Sequence, residues 1–325
     1  MKIVFYHHTP LPVLKYGGTE RILFWHMKEL VRTGHEVILL GHPDSKVNDY
    51  GIKLIPLSQD KLRNGWEELI PQDADILHLQ FSTLKSFSIP HICTIHGNAK
   101  VGEVLYKNSV FVSKKHALVH DSKSFIYNAL DFDEYPEPIN INGKSNKELL
   151  FLAKASWKVK NLKDSKDIAI KTKKHLHIVG GKSLSFSKYI HNHGIIGGRE
   201  KLRILQKSDG LIFPVKWDEP FGIAMVEAMS QGLPVFGSSF GSLPEVIGPA
   251  GIAAKTKADL LSAISKWDIQ LSGREIREYA IEKFNIQTYS NSYTKLYERV
   301  LNRDSLNDRE PQRASLIDPE ELFDF

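Results

Sequence analysis

Short apolar runs alternate with amphipathic stretches along most of the chain. In the N-terminal half, the predicted strands cover residues 3–6, 36–40, 52–57, 76–81, 91–95, 110–113 and 125–130. Between the first two runs, Leu23, Met27 and Leu30 recur at the spacing of one helix face. Gly34 predicts where that helix ends. Short strands alternating with helices predict an α/β fold with a mainly parallel sheet covered on both faces.

The pattern restarts after a polar stretch, residues 136–147, that contains two prolines and predicts a linker. Beyond it, predicted strands cover residues 149–153, 175–179, 210–215 and 233–236, and predicted helices cover residues 162–173, 201–207, 221–231, 257–267 and 274–283. Tyr289, Tyr293 and Tyr297 mark a last amphipathic helix. We therefore predict an N-terminal domain over 1–138, a C-terminal domain over 148–284, a final helix over 285–301 and a mobile tail over 302–325.

Composition and charge narrow the class of protein. The chain has 325 residues, of which 42% are hydrophobic and 25% charged, the balance of a soluble globular protein. Its lone cysteine, Cys93, fits a reducing compartment. The apolar run at the N-terminus, broken by His7 and His8, is too short for a signal peptide, and no run approaches the ~20 residues of a membrane helix. A cytoplasmic location is predicted.

The basic balance, with a formal charge of +5, suits nucleic acid, anionic lipid or a phosphorylated ligand. The lysines are densest over residues 154–174, where most are interpreted as a solvated helix face. No zinc-finger spacing and no aromatic–basic strand motif is present, so nucleic acid is not an expected partner. Neither G-x-G-x-x-G after the first strand nor a P-loop occurs, which argues against a dinucleotide oxidoreductase or a P-loop enzyme.

The segment DEPFGIAMVEAM, residues 218–229, carries the strongest chemical signal. With Pro220 at the first helical position, the amides of Phe221, Gly222 and Ile223 would be first-turn donors able to bind a diphosphate. Glu227, two turns along, could accept hydrogen bonds from a ribose diol. Glu219, just before the helix, would lie close to a sugar attached to the phosphate. Two glutamates at this spacing are weak evidence when taken alone.

A longer segment, FPVKWDEPFGIAMVEAMSQGLPVFGSSFGSLPEVI, closely resembles the donor-site signature of the family-four retaining glycosyltransferases. The resemblance is strong over residues 213–247 and weaker elsewhere up to about residue 300. It implies the GT-B fold, with two Rossmann-like lobes, a cleft between them and a C-terminal helix that crosses back to the N-lobe. It also implies that Glu219 contacts the donor sugar and Glu227 the nucleotide ribose.

Two N-terminal motifs match the same family in order. Gly17 and Gly18, before the first helix, resemble its glycine loop, which implies contact with the donor phosphates. Paired glycines there permit backbone contact with an anion, although alone they are a common turn. The sequence T-I-H-G resembles the family's T-x-H-G, which places His96 near the reacting sugar. The carboxyl end of a strand is also where open α/β sheets bind ligands.

The phosphate-binding positions of the C-lobe match less closely. Where the family has an arginine after the first strand and a lysine near the next helix, the resemblance assigns Lys154 and Lys160, with Lys158 a rival for the second role. Lysine supplies a point charge but lacks the bidentate fork of arginine. Gly181 matches a family glycine pair. Ile196 matches a short strand whose backbone faces the nucleobase.

The function implied is retaining transfer of a hexose-type sugar from a nucleotide diphosphate sugar, with UDP slightly favoured over GDP. The acceptor would be a hydroxyl of a saccharide or lipid-linked molecule in surface polysaccharide or glycolipid synthesis, with peripheral contact at the inner face of a membrane. No cofactor and no metal are expected, because the D-x-D pairs at Asp73 and Asp131 lie beside no phosphate loop. A nucleotide-sugar 2-epimerase and a non-catalytic binding subunit are the alternatives. The oligomeric state is open.

Overall fold

The computed structural model describes residues 1–13, 15, 17–143 and 145–313 of the chain. The chain forms two compact units. The N-terminal unit contains Met1–Val13, Gly17–Ala129 and the segment that begins at Ile286, and the C-terminal unit contains Leu130–Asn285. The chain therefore passes from one unit to the other after Ala129 and again after Asn285.

The N-terminal unit is built on a parallel six-stranded sheet. Its strands are β1 Lys2–His7, β2 Glu36–Gly41, β3 Lys53–Pro56, β4 Ile76–Leu79, β5 His91–Ile95 and β6 Ser109–Phe111, in the order β3-β2-β1-β4-β5-β6, with helices α1 Gly18–Arg32 and α2 Lys114–Val119. Gly34 follows α1 with a φ of 87°, as predicted for the residue that ends a helix. The strand predicted over 125–130 does not form. Phe125 makes only an isolated bridge to Phe111, because the chain leaves the edge of the sheet there for the other unit.

The C-terminal unit repeats the same plan. Its strands are β7 Glu148–Leu152, β8 His175–Val179, β9 Ile190–Gly194, β10 Gly210–Phe213, β11 Val235–Ser238 and β12 Gly251–Ala254, all parallel, in the order β12-β11-β10-β7-β8-β9. Its helices are α3 Leu162–Lys171, α4 Gly198–Lys207, α5 Ile223–Met229, α6 Leu243–Ile247, α7 Lys257–Lys266 and α8 Gly273–Phe284. The strand order reverses between β7 and β10, the position at which open parallel sheets bind ligands.

The polar stretch 136–147, predicted as a linker, instead belongs to the C-terminal unit. Tyr135 before it and Ile141 within it are both 4% exposed. The guanidinium of Arg277 donates to the carbonyl oxygen of Tyr135 at 2.9 Å, which fixes the start of the stretch on α8. Burial of these two side chains holds the stretch in place, and the boundary between units lies at Ala129 instead.

The final helix, α9 Ile286–Leu301, packs on α1 in the N-terminal unit, so the predicted return of the C-terminal helix to the N-lobe is confirmed. Hydroxyls of its buried tyrosines complete a polar network inside this unit. His78 contacts Tyr297 Oη and Thr94 Oγ1, each at 2.7 Å, and Thr94 Oγ1 contacts Tyr293 Oη at 2.7 Å. Tyr297 Oη also lies 3.1 Å from His26 Nε2. The network joins α9 to α1, β4 and β5.

The segment after α9, predicted as a mobile tail, is fixed on the N-terminal unit as far as Arg313. The side-chain amide of Asn307 donates to the carbonyl oxygens of Lys107 and Ser109 at 2.8 and 2.9 Å. The backbone N–H of Leu105 donates to Pro311 O at 2.9 Å. These bonds satisfy backbone groups at the start of β6 and in the loop before it. The rest of the predicted tail, residues 314–325, lies outside the described residues.

Candidate functional site

Helix α5 begins two residues later than predicted. Gly222 has a φ of 82° and precedes the helix, which starts at Ile223. A left-handed residue cannot continue an α-helix, so Pro220 and Phe221 lie before the helix and the amide of Phe221 is not a first-turn donor. A Cβ at Gly222 would lie 2.7 Å from Met225 Cε and 3.2 Å from Phe213 Cε1. The left-handed backbone conformation favours glycine here, and a larger residue would also have to displace the end of the Met225 side chain.

The loop before α5 places Glu219 in a buried ion pair. Lys160 Nζ lies 2.5 Å from Glu219 Oε2, with the two side chains 10% and 8% exposed. The indole N–H of Trp217 donates to the same carboxylate oxygen at 2.5 Å. Lys160 Nζ also lies 5.0 Å from the centre of the Trp217 ring. The structure therefore brings together two of the residues assigned to the reacting sugar and its phosphate.

Lys154, assigned to the family's arginine position, and Lys158, the rival of Lys160, are both exposed, in contrast with Lys160. Lys154 Nζ lies over the ring of Trp157 at 5.1 Å, and Lys158 points to the surface. Asn161, which follows Lys160, has a left-handed φ of 58°, caps α3 and donates to Pro214 O at 2.9 Å. This bond ties the lysine loop to the loop that carries Glu219. The geometry favours Lys160 over Lys158 as the buried cation.

Glu227 lies on α5 and is 2% exposed. Its Oε1 accepts hydrogen bonds from Lys201 Nζ and from the hydroxyl of Tyr135, and Lys201 Nζ also lies 3.2 Å from that hydroxyl. Sequence reasoning missed both partners. One signal was present: Lys201 precedes the buried Leu205 by four residues, so it lies on the buried face of α4. A lysine on a buried helix face requires a charged partner.

The glycine pair after β8 is required by the protein's own backbone. Gly180 and Gly181 have φ angles of 106° and 150°. A Cβ on Gly180 would lie 2.1 Å from Ala153 O, and one on Gly181 would lie 2.6 Å from Ala155 Cβ. Gly180 O also accepts from the N–H of Ala155 at 2.9 Å. The pair thus packs closely against the loop that begins with Lys154.

The short strand that the resemblance implies at Ile196 is absent. Strand β9 ends at Gly194, whose φ of 74° breaks the extended backbone. Ile196 therefore lies in the connection between β9 and α4, half-buried. It remains a candidate for contact with a nucleobase through its backbone, although not as part of a strand.

The remaining predicted site residues belong to the N-terminal unit. Gly17, with a φ of 139°, precedes α1, and Gly18 is its first residue. His96 follows β5, where its Nε2 lies 2.8 Å from Gln80 Oε1. Burial, and secondarily the neighbouring His7, lowers the pKa of His96 to about 4. The imidazole is therefore neutral near pH 7, able to form hydrogen bonds but without a charge.

The acidic pairs have structural partners. Lys2 forms an ion pair with Asp73, and its backbone N–H donates to Asp75 at 2.6 Å. Asp131 accepts from the backbone N–H of Asp133 at 3.2 Å. Within the described ranges, no group of three or more histidine, cysteine or acidic side chains is arranged to hold a metal ion. In the same ranges, no helix is both long and apolar enough to cross a bilayer.

Comparison with known proteins agrees with this architecture. Residues 131–283 match the family of glycosyl transferases group 1. The chain is 30% identical over 130 residues to the MMP alpha-(1->4)-mannosyltransferase of Mycolicibacterium hassiacum, a match that covers 37% of this chain and 31% of that protein. A second curated relative, an uncharacterised protein in the cps region of Klebsiella pneumoniae, is 31% identical over 114 residues, 32% of this chain and 31% of its own length. The matches thus span about a third of the length of these curated relatives.

Solved structures match over nearly the full length. AviGT4, a glycosyltransferase involved in avilamycin A biosynthesis, aligns with a TM-score of 0.78 at 19% identity, covering 93% of this chain and 98% of its own. HepE of Anabaena, solved in complex with UDP and glucose, aligns with a TM-score of 0.69 at 16% identity, covering 92% and 99%. The two parallel six-stranded units therefore have the fold of GT-B glycosyltransferases, as the sequence resemblance predicts.

Proposed function

We propose that this chain, whose residues 131–283 match the glycosyl transferases group 1, is a retaining glycosyltransferase. It moves a hexose-type sugar from a nucleotide diphosphate sugar to a hydroxyl of a saccharide or lipid-linked acceptor, in the synthesis of surface polysaccharide or glycolipid. One observation carries the proposal: both glutamates of the donor-site signature, Glu219 and Glu227, are buried and paired with lysines at α5. Burial of two carboxylate–lysine pairs around one short helix costs desolvation free energy. A site that binds a polar ligand would explain why the protein keeps both pairs there.

Glu227 is proposed to accept hydrogen bonds from the ribose diol of the donor. Lys201 and Tyr135 both contact its Oε1, which fixes the side chain before the ligand arrives. Preorganisation of this kind lowers the entropic cost of binding. HepE, which shares this fold, was solved in complex with UDP, and this supports UDP over GDP as the nucleotide of the donor.

Lys160 is proposed to stabilise the leaving diphosphate. When the bond between the anomeric carbon and the phosphate oxygen breaks, negative charge accumulates on the diphosphate, and a nearby ammonium and the first-turn amides of α5 stabilise it. Lys160 is held by Glu219 in the buried ion pair. A bound diphosphate competes for the ammonium, which releases the Glu219 carboxylate to accept hydrogen bonds from sugar hydroxyls.

Retention without a covalent nucleophile is proposed to follow front-face attack. The acceptor oxygen bonds to the anomeric carbon on the face that the diphosphate leaves, and an oxygen of the leaving diphosphate takes the acceptor's proton. Lys154 contributes a second, exposed cation to the phosphates. Gly181 and Ile196 are proposed to contact the nucleotide through their backbones. Gly17, Gly18 and the neutral His96 are proposed, on the resemblance, to contact the same donor from the N-terminal unit.

A screen of purified protein against nucleotide sugars tests this proposal. Thermal shift identifies the donor, and release of free nucleotide diphosphate is then measured with and without candidate acceptors. Release that depends on an acceptor supports transfer, whereas conversion of the donor sugar without release indicates a 2-epimerase. Binding without either reaction indicates a non-catalytic subunit. The anomeric configuration of the product, read by NMR, tests retention.

Metal independence is part of the proposal, with Lys160 and the α5 amides in the role that a divalent cation has in other sugar transferases. We expect EDTA to leave the rate unchanged. Activity lost in EDTA and restored by manganese or magnesium would contradict this part. The acidic pairs at Asp73 and Asp131 would then become the candidate metal ligands.

A further inference from the structure

The loop between β8 and β9, residues 182–188, carries two large apolar side chains in full contact with solvent. Leu184 is 97% exposed and Phe186 is 109% exposed, and serines alternate with them at Ser183, Ser185 and Ser187. A single exposed leucine is ordinary on a protein surface. Two fully exposed apolar side chains at the tip of one short loop instead indicate an interaction site.

Hydrogen bonds fix the base of this loop. The N–H of Ser183 donates to Asn192 Oδ1 at 2.8 Å, and the side-chain amide of Asn192 donates back to Ser183 O at 2.9 Å. Lys166 Nζ donates to Ser183 Oγ at 2.7 Å and lies 3.3 Å from Leu184 O. The apolar pair therefore projects from an anchored backbone.

The surroundings of the loop are basic. Lys182 and Lys188, at its two ends, are exposed. An open cavity of about 480 Å³ adjoins it, lined among others by Trp157, Lys158, Lys163, Lys166, Ser183 and Lys216. None of the described residues that line this cavity is acidic, although Asp164 behind it pairs with Lys216 at 3.2 Å. The loop tip that carries Leu184 and Phe186, the apolar tip, therefore adjoins this lysine cavity. Lys166 and Ser183 belong both to the base of the loop and to the lining of the cavity.

We propose that the apolar tip and the lysine cavity form a docking surface for a bilayer that contains anionic phospholipid. Leu184 and Phe186 enter the boundary between headgroups and acyl chains, and the lysines attract the phosphates beside them. Two side chains are too small an apolar area for a stable protein interface, which buries about 800 Å² per partner. They suffice for a bilayer when cations add to the attraction. This inference is independent of the proposed transfer reaction.

Vesicle sedimentation with the full chain tests the docking surface, in the absence of any sugar donor. We expect binding to vesicles of phosphatidylcholine mixed with phosphatidylglycerol, and at least about tenfold weaker binding to phosphatidylcholine alone. The variant Leu184→Ser/Phe186→Ser and the variant Lys163→Glu/Lys182→Glu/Lys188→Glu should each weaken binding to the mixed vesicles by about tenfold or more.

The matched control is Ile139→Ser, which removes another fully exposed apolar side chain, 109% exposed, from the same unit. It should bind the mixed vesicles as the unaltered chain does, and thermal melting should show that all variants fold. Equal binding by the Leu184→Ser/Phe186→Ser variant, or no binding by the unaltered chain, would overturn the proposal. So would light scattering that shows a dimer converted to a monomer by that variant, since the surface would then join two copies.

Discussion

Lys201 and Glu227 form an ion pair that is buried within the C-terminal unit, with side chains 9% and 3% exposed. Removal of Lys201 takes the ammonium partner away from the buried Glu227 carboxylate, to which the Tyr135 hydroxyl still donates. We expect Lys201→Met to lower the free energy of unfolding by about 3–5 kcal/mol and to weaken nucleotide binding. Chemical denaturation and nucleotide titration measure the two effects. Lys207→Met, at an exposed position on the same helix, should change neither.

The double variant Lys201→Met/Glu227→Gln separates the contribution of this ion pair to stability from its contribution to nucleotide affinity. Neutralising both partners removes the buried negative charge that lacks its ammonium, so most of the lost stability should return. Nucleotide affinity should stay low, because a glutamine side chain has one acceptor oxygen where the carboxylate has two. If affinity returned together with stability, Glu227 would have no special role toward the ribose.

Replacement of Lys160 tests the assignment of the phosphate-binding cation. We expect Lys160→Met to reduce kcat by about 10²–10³-fold, the usual effect of removing one group that stabilises developing charge. Lys158→Met, two positions away on the exposed surface, should change kcat by no more than a few fold. A larger loss with Lys158→Met would reverse the assignment of these two lysines.

Acid should destabilise the N-terminal unit selectively. Burial lowers the pKa of His7, His91 and His96 from 6.5 to about 4 and that of His26 to about 3, and it lowers the pKa of His78 and His116 well below 6.5. The unfolded chain therefore binds more protons between these values, so stability is complete above about pH 6.5 and falls as pH decreases toward 4. Each tenfold difference in proton affinity corresponds to about 1.4 kcal/mol.

Hydrogen exchange at pH 7.5 and pH 5 measures this effect by unit. Protection should fall more in β1, β4 and β5 than in the strands of the C-terminal unit. There, the histidines with lowered pKa, His191 and His193, are only half-buried. Equal losses of protection in the two units would contradict the role of the buried imidazoles.

Truncation tests the contacts of the C-terminal segment. Removal of residues 303–325 deletes Asn307 and the strand-like contacts of Pro311 and Gln312, so we expect lower protection around β6. Asn307→Ala alone should cost about 1–3 kcal/mol, because the carbonyls of Lys107 and Ser109 lose their donor. Truncation after Arg313 keeps all of these contacts and serves as the control.

The periodic parts of the fold could be predicted from the sequence. The strands at residues 91–95 and 175–179 match their predicted bounds, since both are uninterrupted β-rich runs. The start of α5 could not be predicted, because it depends on the backbone conformation of Gly222 and not on the apolar pattern. The predicted linker was wrong for a related reason: two buried residues, Pro138 and Ile141, hold an otherwise polar stretch in place.

The candidate site was predictable where residues stand close together in a motif. Glu219 and Glu227 stand in one recognisable segment, whereas their partners Lys160 and Lys201 lie 59 and 26 positions earlier in the chain. Only the order of strands in the sheet brings such distant residues together. The polar network of His78, Thr94 and Tyr297 could not be predicted from the sequence for the same reason.

The route of the chain also has a consequence for its synthesis. The last strand of the N-terminal sheet ends at Phe111, but α9 and the residues up to Arg313 that complete this unit leave the ribosome only after the whole of Leu130–Asn285. The part of the C-terminal unit from Leu130 to Asn285, which holds its whole sheet, is one continuous stretch, so this sheet can form while the sheet made first still lacks its tyrosine-bearing helix. The usual order of completion, with the N-terminal unit first, is therefore reversed. Until the last helix emerges, the nascent N-terminal sheet exposes the surface that α9 will cover, which makes this interval of translation the one most in need of a chaperone.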